Sequence, residues 1–239
     1  QWDSLCHVGG WFDADGDGKP EVVYYNGWRA DEHIVSPKEK IEADEFTKFE
    51  GSNAKALGIE NMAEACVQGR GVLVDLEQRH GRDRVLVGYN ELMRILEEDN
   101  IEIEEGDMAC FHTGFAQGLM DMNKNPNEHD LHNTFACLDG RDEKLQDWIR
   151  DSGISVIIAD NYGIEDVSSP LPTGTNPIAM LPLHELCIFK LGIHIGEMFY
   201  LTPLRDWLRK NKRNRFLLTA PPLRLPGAVG SPPSPIATV

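Results

Sequence analysis

Short apolar runs alternate with amphipathic stretches along this chain. Val72-Leu73-Val74-Asp75, entered through Gly69-Arg70-Gly71, has the composition of a buried strand. Met108-Ala109-Cys110-Phe111 follows Gly106-Asp107 as a second, and runs into His112-Thr113-Gly114-Phe115. The stretch from Ile154 to Ala159 is the clearest of the buried strands, with Asp160-Asn161 at its C-terminal end. Val22 to Tyr25 reads as a short strand ended by the turn dipeptide Asn26-Gly27, and Phe216 to Thr219 as the final strand. Between these runs the spacing predicts helices. Asn90 caps one through about Glu98, with Leu92, Ile95 and Leu96 on one face. Asp142 begins another through about Asp151, which aligns Leu145, Trp148 and Ile149. Pro182-Leu183-His184-Glu185 opens a third that Gly192 closes, and a fourth spans Pro203 to Lys210. Residues 36–58 are polar and read as partly helical. Residues 118–134, rich in Asn, Asp and His, read as a loop or lid, and the Pro- and Gly-rich tail from Pro221 as irregular. Alternating strands and helices indicate an α/β domain. No repeat or linker divides residues 1–239, so a single domain is expected.

Composition narrows the partners. The 39 acidic and 23 basic side chains give a formal net charge of −16, a field that repels nucleic acid and anionic membranes. No apolar run approaches the ~20 residues that span a bilayer. The basic run from Arg205 to Arg215 then reads as a solvated face at a helix C-terminus. Five widely spaced cysteines without a Cys-x-x-Cys pair fit reduced thiols in a cytoplasmic protein.

Two separated stretches carry candidate chemistry. In Gln1-Trp2-Asp3-Ser4-Leu5-Cys6-His7, strand alternation would put Gln1, Asp3 and His7 on one face. An Asp, a His and a further oxygen or nitrogen donor suit Zn²⁺ or Mn²⁺. The spacing equally fits an Asp capping a turn beside an ordinary, partly buried His. Far downstream, His184 sits near a helix start, where the dipole favours the neutral imidazole that binds metal. Eight helical residues rise ~12 Å, and five extended ones return ~16 Å. Glu197 can therefore come back beside His184, although spacing also allows a surface Glu and a helix-capping His.

Weaker signals surround these. Asp13 to Gly18 matches the first half of a calcium-binding loop, but Tyr24 stands where its last carboxylate should be, and a solvated turn is the plainer reading. His112 could line a site or be a satisfied structural histidine, and His129 and His132 read as solvent-facing. Trp2, Tyr25 and Phe115 could form an aromatic wall or lie in the core. Cys6 and His7 would face opposite ways on a strand, a poor thiol–imidazole dyad.

The heptad Q-W-D-S-L-C-H, with Y-N-G at 25–27, resembles the metal-dependent cyclase family that includes bacterial kynurenine formamidase and isatin hydrolase. Similar blocks continue at 69–75 (G-R-G-V-L-V-D), 106–115 (G-D-M-A-C-F-H-T-G-F), 159–161 (A-D-N), 184–197 (H-E-L-C to G-I-H-I-G-E) and 220–232 (A-P-P-L-R-L-P-G-A-V-G-S-P). The resemblance covers nearly the whole chain, through a branch whose motif reads Q-W-D-x-L-x-H. It implies a cyclase-type mixed sheet, of swivelling β/β/α kind, with surrounding helices. It also implies a first ligand just before the heptad, so that the sequence lacks an N-terminal segment. Carried over by position, Asp3, His184 and Glu197 are expected metal ligands. Gln1 is expected as a fourth, an uncharged and weaker one, in place of a family His. His7 and His184 are the expected catalytic histidines, and the cofactor is Mn²⁺ or Zn²⁺. The implied reaction is hydrolysis of a small amide, formamide, lactam or lactone by a homodimer. A cyclase-fold protein that binds a ligand without catalysis is the alternative.

Overall fold

Period-two alternation in the apolar runs builds the middle of the molecule. Leu73, Met108, Cys110, Val156 and Ile158 pack into one core. Their neighbours Val74, Ala109, Phe111, Ile157 and Ala159 pack into another, on the opposite face. Such runs are apolar throughout because both faces are covered.

The computed structural model describes residues 1–35, 53–167 and 179–239. Its main sheet has eight strands, ordered Gly230–Ser231, Trp2–Asp3, His194–Gly196, Val156–Ala159, Met108–His112, Gln68–Asp75, Arg215–Thr219 and Ile236–Thr238. The four inner strands are parallel. Two antiparallel strands flank them on each side. Helices Tyr89–Glu98 and Glu143–Ser152, with the one opened by Pro182, cover the first face through Leu92, Ile95, Leu145, Ile149, Leu183 and Ile188. Helices Ile59–Ala65 and Thr202–Lys210 cover the second through Ile59, Met62 and Leu208. This is the mixed-sheet α/β architecture expected. Among the described residues no helix is long and apolar enough to cross a membrane.

Several local expectations are corrected. The early strand is Glu21–Val23, paired with Gly10–Phe12, and Tyr25–Gly27 is a short 3₁₀ turn. Of the polar stretch 36–58, residues 36–52 lie outside the described residues. Asn53–Ala54 is a strand paired with Ile34–Val35, not part of a helix. Asn90 lies inside its helix and does not cap it. The Asp142 carboxylate does so from another element, accepting from Tyr89 N at 2.7 Å as well as from Lys144 N and Leu145 N of its own helix. Gly88 makes room, since a Cβ there would lie 2.5 Å from Asp142 Oδ2. The stretch 118–134, expected as a loop or lid, holds the end of helix Phe115–Asp121 and the whole of helix Glu128–Asn133. The expected irregular tail supplies a strand to each edge of the sheet.

The parallel order has one consequence for chemistry. Asp75 and His112 end their strands, while Asp160 and Glu197 directly follow theirs, so polar side chains gather along the C-terminal edge, where open α/β sheets bind ligands.

Candidate metal centre

Asp3 is positioned by its neighbour. The Trp2 ring is fully buried, donates from Nε1 to Ala220 O at 2.7 Å and packs edge-on against Phe199. With Trp2 fixed on one face, Asp3 points to the other, opposite Ile195 in the antiparallel register. The strand ends there. His7 does not reach the site by alternation, as the spacing predicts. A turn closed by His7 N donating to Ser4 O at 3.0 Å folds it back, which leaves Nε2 3.8 Å from Asp3 Oδ1.

His184 and Glu197 arrive by the predicted helix and return. Pro182 begins a single α-turn that ends at His184, and a π-helical stretch from Glu185 to Leu191 follows, a wide turn often found at functional sites. Gly192, at φ +70°, closes it where the Tyr25 ring leaves no space for a Cβ. His194–Gly196 then pairs with Trp2–Asp3, and the left-handed Met198 (φ 56°) turns the chain immediately after Glu197.

The two ends meet. His184 Nε2 lies 3.2 Å from Glu197 Oε1 and 3.8 Å from Asp3 Oδ2. One ligand atom from each of Asp3, His184 and Glu197 falls within 4.8 Å of the other two, and all three residues are buried. Asp3 Oδ2 is buried without a hydrogen-bond partner, a state that costs free energy unless a cation or proton completes it. Burial, only partly offset by His7 and His184, holds the Asp3 pKa above the ordinary carboxylate range. Two carboxylates and an imidazole facing one gap fit a divalent ion of the Zn²⁺ or Mn²⁺ type. Gln1 joins the group with its amide nitrogen 3.2 Å from Asp3 Oδ1 and 3.3 Å from Glu197 Oε2.

Glu165 escaped sequence reasoning. It is 2% exposed. Its Oε1 accepts from His184 N at 2.9 Å and from His184 Nδ1 at 2.8 Å, while Oε2 accepts from Leu183 N at 2.9 Å. It therefore caps the helix and holds the imidazole with Nε2 turned to Asp3 and Glu197, the arrangement that orients metal-bound histidines. Gly140 is its trace in the sequence, because a Cβ there would lie 2.0 Å from Glu165 Oε2.

The expected neutral His184 is corrected for the metal-free protein. Burial pulls its pKa down, but Glu165 and Glu197 outweigh burial and raise it from 6.5 to about 9. A raised histidine pKa stabilises the fold fully below its unfolded value, and that contribution is lost as pH rises through about 9. Metal-free protein should therefore lose stability in denaturant titrations run from pH 6.5 to 9. Because an ion must displace that proton, Mn²⁺ or Zn²⁺ affinity should rise roughly tenfold per pH unit over the same window.

Other candidates resolve into scaffold. His112 is fully buried, with Nδ1 3.1 Å from Asp75 Oδ1 and Nε2 3.1 Å from Thr202 Oγ1. Its cluster with Asp75 and Glu77 has ligand-like spacing, but Arg209 holds Asp75 and Arg205 holds Glu77. Those contacts correct the solvated-face reading of Arg205, which is largely buried. His129 and His132 lie outside the centre and are solvent-facing, His132 against Tyr162 Oη. Trp2 and Phe115 are core residues, not a pocket wall. Asp13, Asp15 and Glu21 converge in the Asp-rich loop, where Arg29 pairs with Glu21 and approaches Asp15.

The family model described as "Putative cyclase" matches residues 1–166. Among solved structures, one titled as a novel cyclase is 26% identical with a TM-score of 0.71, covering 100% of this chain and 68% of that chain. Isatin hydrolase A from Ralstonia solanacearum shares the fold at 15% identity and a TM-score of 0.56, over 99% of this chain and 80% of that one. An isatin hydrolase bound to the product analogue thioisatinate does so at 14% and 0.55, over 100% and 81%. None of the curated proteins matches by sequence. With its matched segment well over half the chain, this protein belongs to the "Putative cyclase" family.

Proposed function

We propose that the protein is a metal-dependent hydrolase of a small amide, with a formamide, a lactam or another cyclic amide or lactone as substrate. The convergence of Asp3 Oδ2, His184 Nε2 and Glu197 Oε1 on one buried gap carries this reading. These three residues would hold Mn²⁺ or Zn²⁺. When bound, such an ion lowers the pKa of its water to about 7 and polarises a substrate carbonyl. His7, about one-third exposed and at the rim of the centre, moves the proton through Nε2 between the attacking water and the leaving nitrogen, or the leaving oxygen of a lactone. His184, fixed by Glu165, is the second imidazole at the reacting centre.

A cleft of about 920 Å³ is lined by Val8, Gly9, Trp11, Met180, Leu181 and Glu185, residues that follow His7 and flank His184 in sequence, while the carboxylates of the centre do not line it. Its mostly apolar wall suits the ring or acyl body of such a substrate. The isatin hydrolase likeness favours cyclic amides among the candidates. All five cysteines are free, which supports a reducing, cytoplasmic setting, and a homodimer completes the proposal.

The test is metal removal. Protein stripped with a chelator should leave a panel of aryl formamides and lactams intact, and added Mn²⁺ or Zn²⁺ should restore turnover of at least one. Equal turnover by stripped and restored protein would falsify the reading.

A further inference from the structure

The two carboxylates of the centre each have an inner and an outer oxygen. The inner pair, Asp3 Oδ2 and Glu197 Oε1, faces His184 Nε2. The outer pair, Asp3 Oδ1 and Glu197 Oε2, is the one that contacts Gln1, with His7 Nε2 3.8 Å from Asp3 Oδ1. Two shared carboxylates could serve a second ion only if the outer half supplied a ligand of its own, and His7 lies outside the group of ligand atoms within 4.8 Å of one another. The outer half already has an occupant. Gln1 Nε2 sits 3.2 Å from Asp3 Oδ1 and 3.3 Å from Glu197 Oε2, one amide hydrogen for each.

We infer that Gln1 makes this a one-metal centre, acting as a hydrogen-bond donor to both ligand carboxylates instead of as a ligand. This rests on the metal reading above. An amide nitrogen has no lone pair to offer a cation. Turning the amide over would set its oxygen against two carboxylates and forfeit both hydrogen bonds. A second ion would therefore have to evict a group that satisfies the outer oxygens. The amide is also neutral, so Asp3 and Glu197 keep their full charge for the inner ion. His7 is left unligated, with Nε2 free to move protons.

Metal content and spectra test this without an activity assay. Full-length protein, stripped and then dialysed against excess Mn²⁺, should retain one equivalent by elemental analysis and show the six-line spectrum of an isolated Mn²⁺. Gln1→Glu, which replaces the donor by a ligand of the same length, should retain two equivalents with an exchange-coupled spectrum. Gln1→His should do the same without an added charge, and circular dichroism would show whether each variant is folded. Two equivalents in the unaltered protein, or one in both folded variants, would overturn the inference and leave the metal reading intact. No bound Mn²⁺ in the unaltered protein, repeated with Zn²⁺, would overturn the metal reading and this inference with it.

Discussion

Asp3→Ala is expected to abolish hydrolysis and to weaken metal binding by more than about 100-fold, beyond the ~10–100-fold typical of residues that only orient ligands. It removes one of three buried donor groups and leaves His184 and Glu197, too few to hold a divalent ion. The fold should not suffer. The place of Asp3 in the sheet is set by backbone pairing with Ile195 and Gly230, which alanine preserves, while the side-chain contacts to Gln1, His7 and His184 are given up. Its carboxylate is a liability in the metal-free protein, since burial raises its pKa and Oδ2 has no hydrogen-bond partner. The sign follows: an acid whose pKa is raised on folding destabilises the fold at neutral pH, and its removal relieves that cost. Calorimetric titration with Mn²⁺ and a thermal melt of stripped protein check both halves. A metal-free Tm well below that of the unaltered protein would show that Asp3 is scaffold.

Glu165→Gln should fail in the opposite pattern, losing stability and metal affinity together. Glutamine has one oxygen where glutamate uses two, so its amide nitrogen must face either Leu183 N or the His184 donors. Losing a hydrogen bond to a charged acceptor, and leaving a buried N–H unmet, costs about 2–3 kcal/mol. The imidazole also loses the partner that sets its ring, a change that typically costs ~10–100-fold in metal affinity. Denaturant unfolding and the same titration measure the two losses. An unchanged midpoint with unchanged affinity would remove Glu165 from the centre. Together the two variants separate a residue that holds the ion from one that aims its holder.

The sequence showed much of this centre and concealed the rest for identifiable reasons. Asp3, His184 and Glu197 were legible because a compact heptad and a helix-and-return of known rise put them within reach, and they do meet. His7 was the right neighbour for the wrong reason, because a two-residue strand is too short for alternation to reach position 7. Glu165 was missed, since a carboxylate that caps a helix 19 positions downstream leaves no periodic mark and its one trace, Gly140, is meaningful only once the fold is known. The Asn90 error has the same origin, because the true cap, Asp142, lies 53 residues beyond Tyr89, whose N–H donates to it. Three of the inner strands, at 68–75, 108–112 and 156–159, and the helices over the first face were readable from apolar spacing, whereas His194–Gly196 was legible only as an extended return and helix Ile59–Ala65 not at all. The edge strands at Gly230–Ser231 and Ile236–Thr238 were not, because two or three residues carry no detectable period.

The pairing of Trp2–Asp3 with His194–Gly196 bears on how the protein acquires its metal during synthesis. Gln1 and Glu197 stand 196 positions apart. At ribosomal rates of roughly 5–20 residues per second, the first carboxylate waits roughly 10–40 s for the second. No nascent chain that has not reached Glu197 can assemble the three-donor gap, so the ion is chosen only after synthesis has passed that residue. Copper and zinc outcompete manganese at nitrogen and oxygen sites of equal geometry. The ion found in purified protein should therefore follow the metal supply of the host during expression, and growth in manganese-supplemented, zinc-depleted medium should change it.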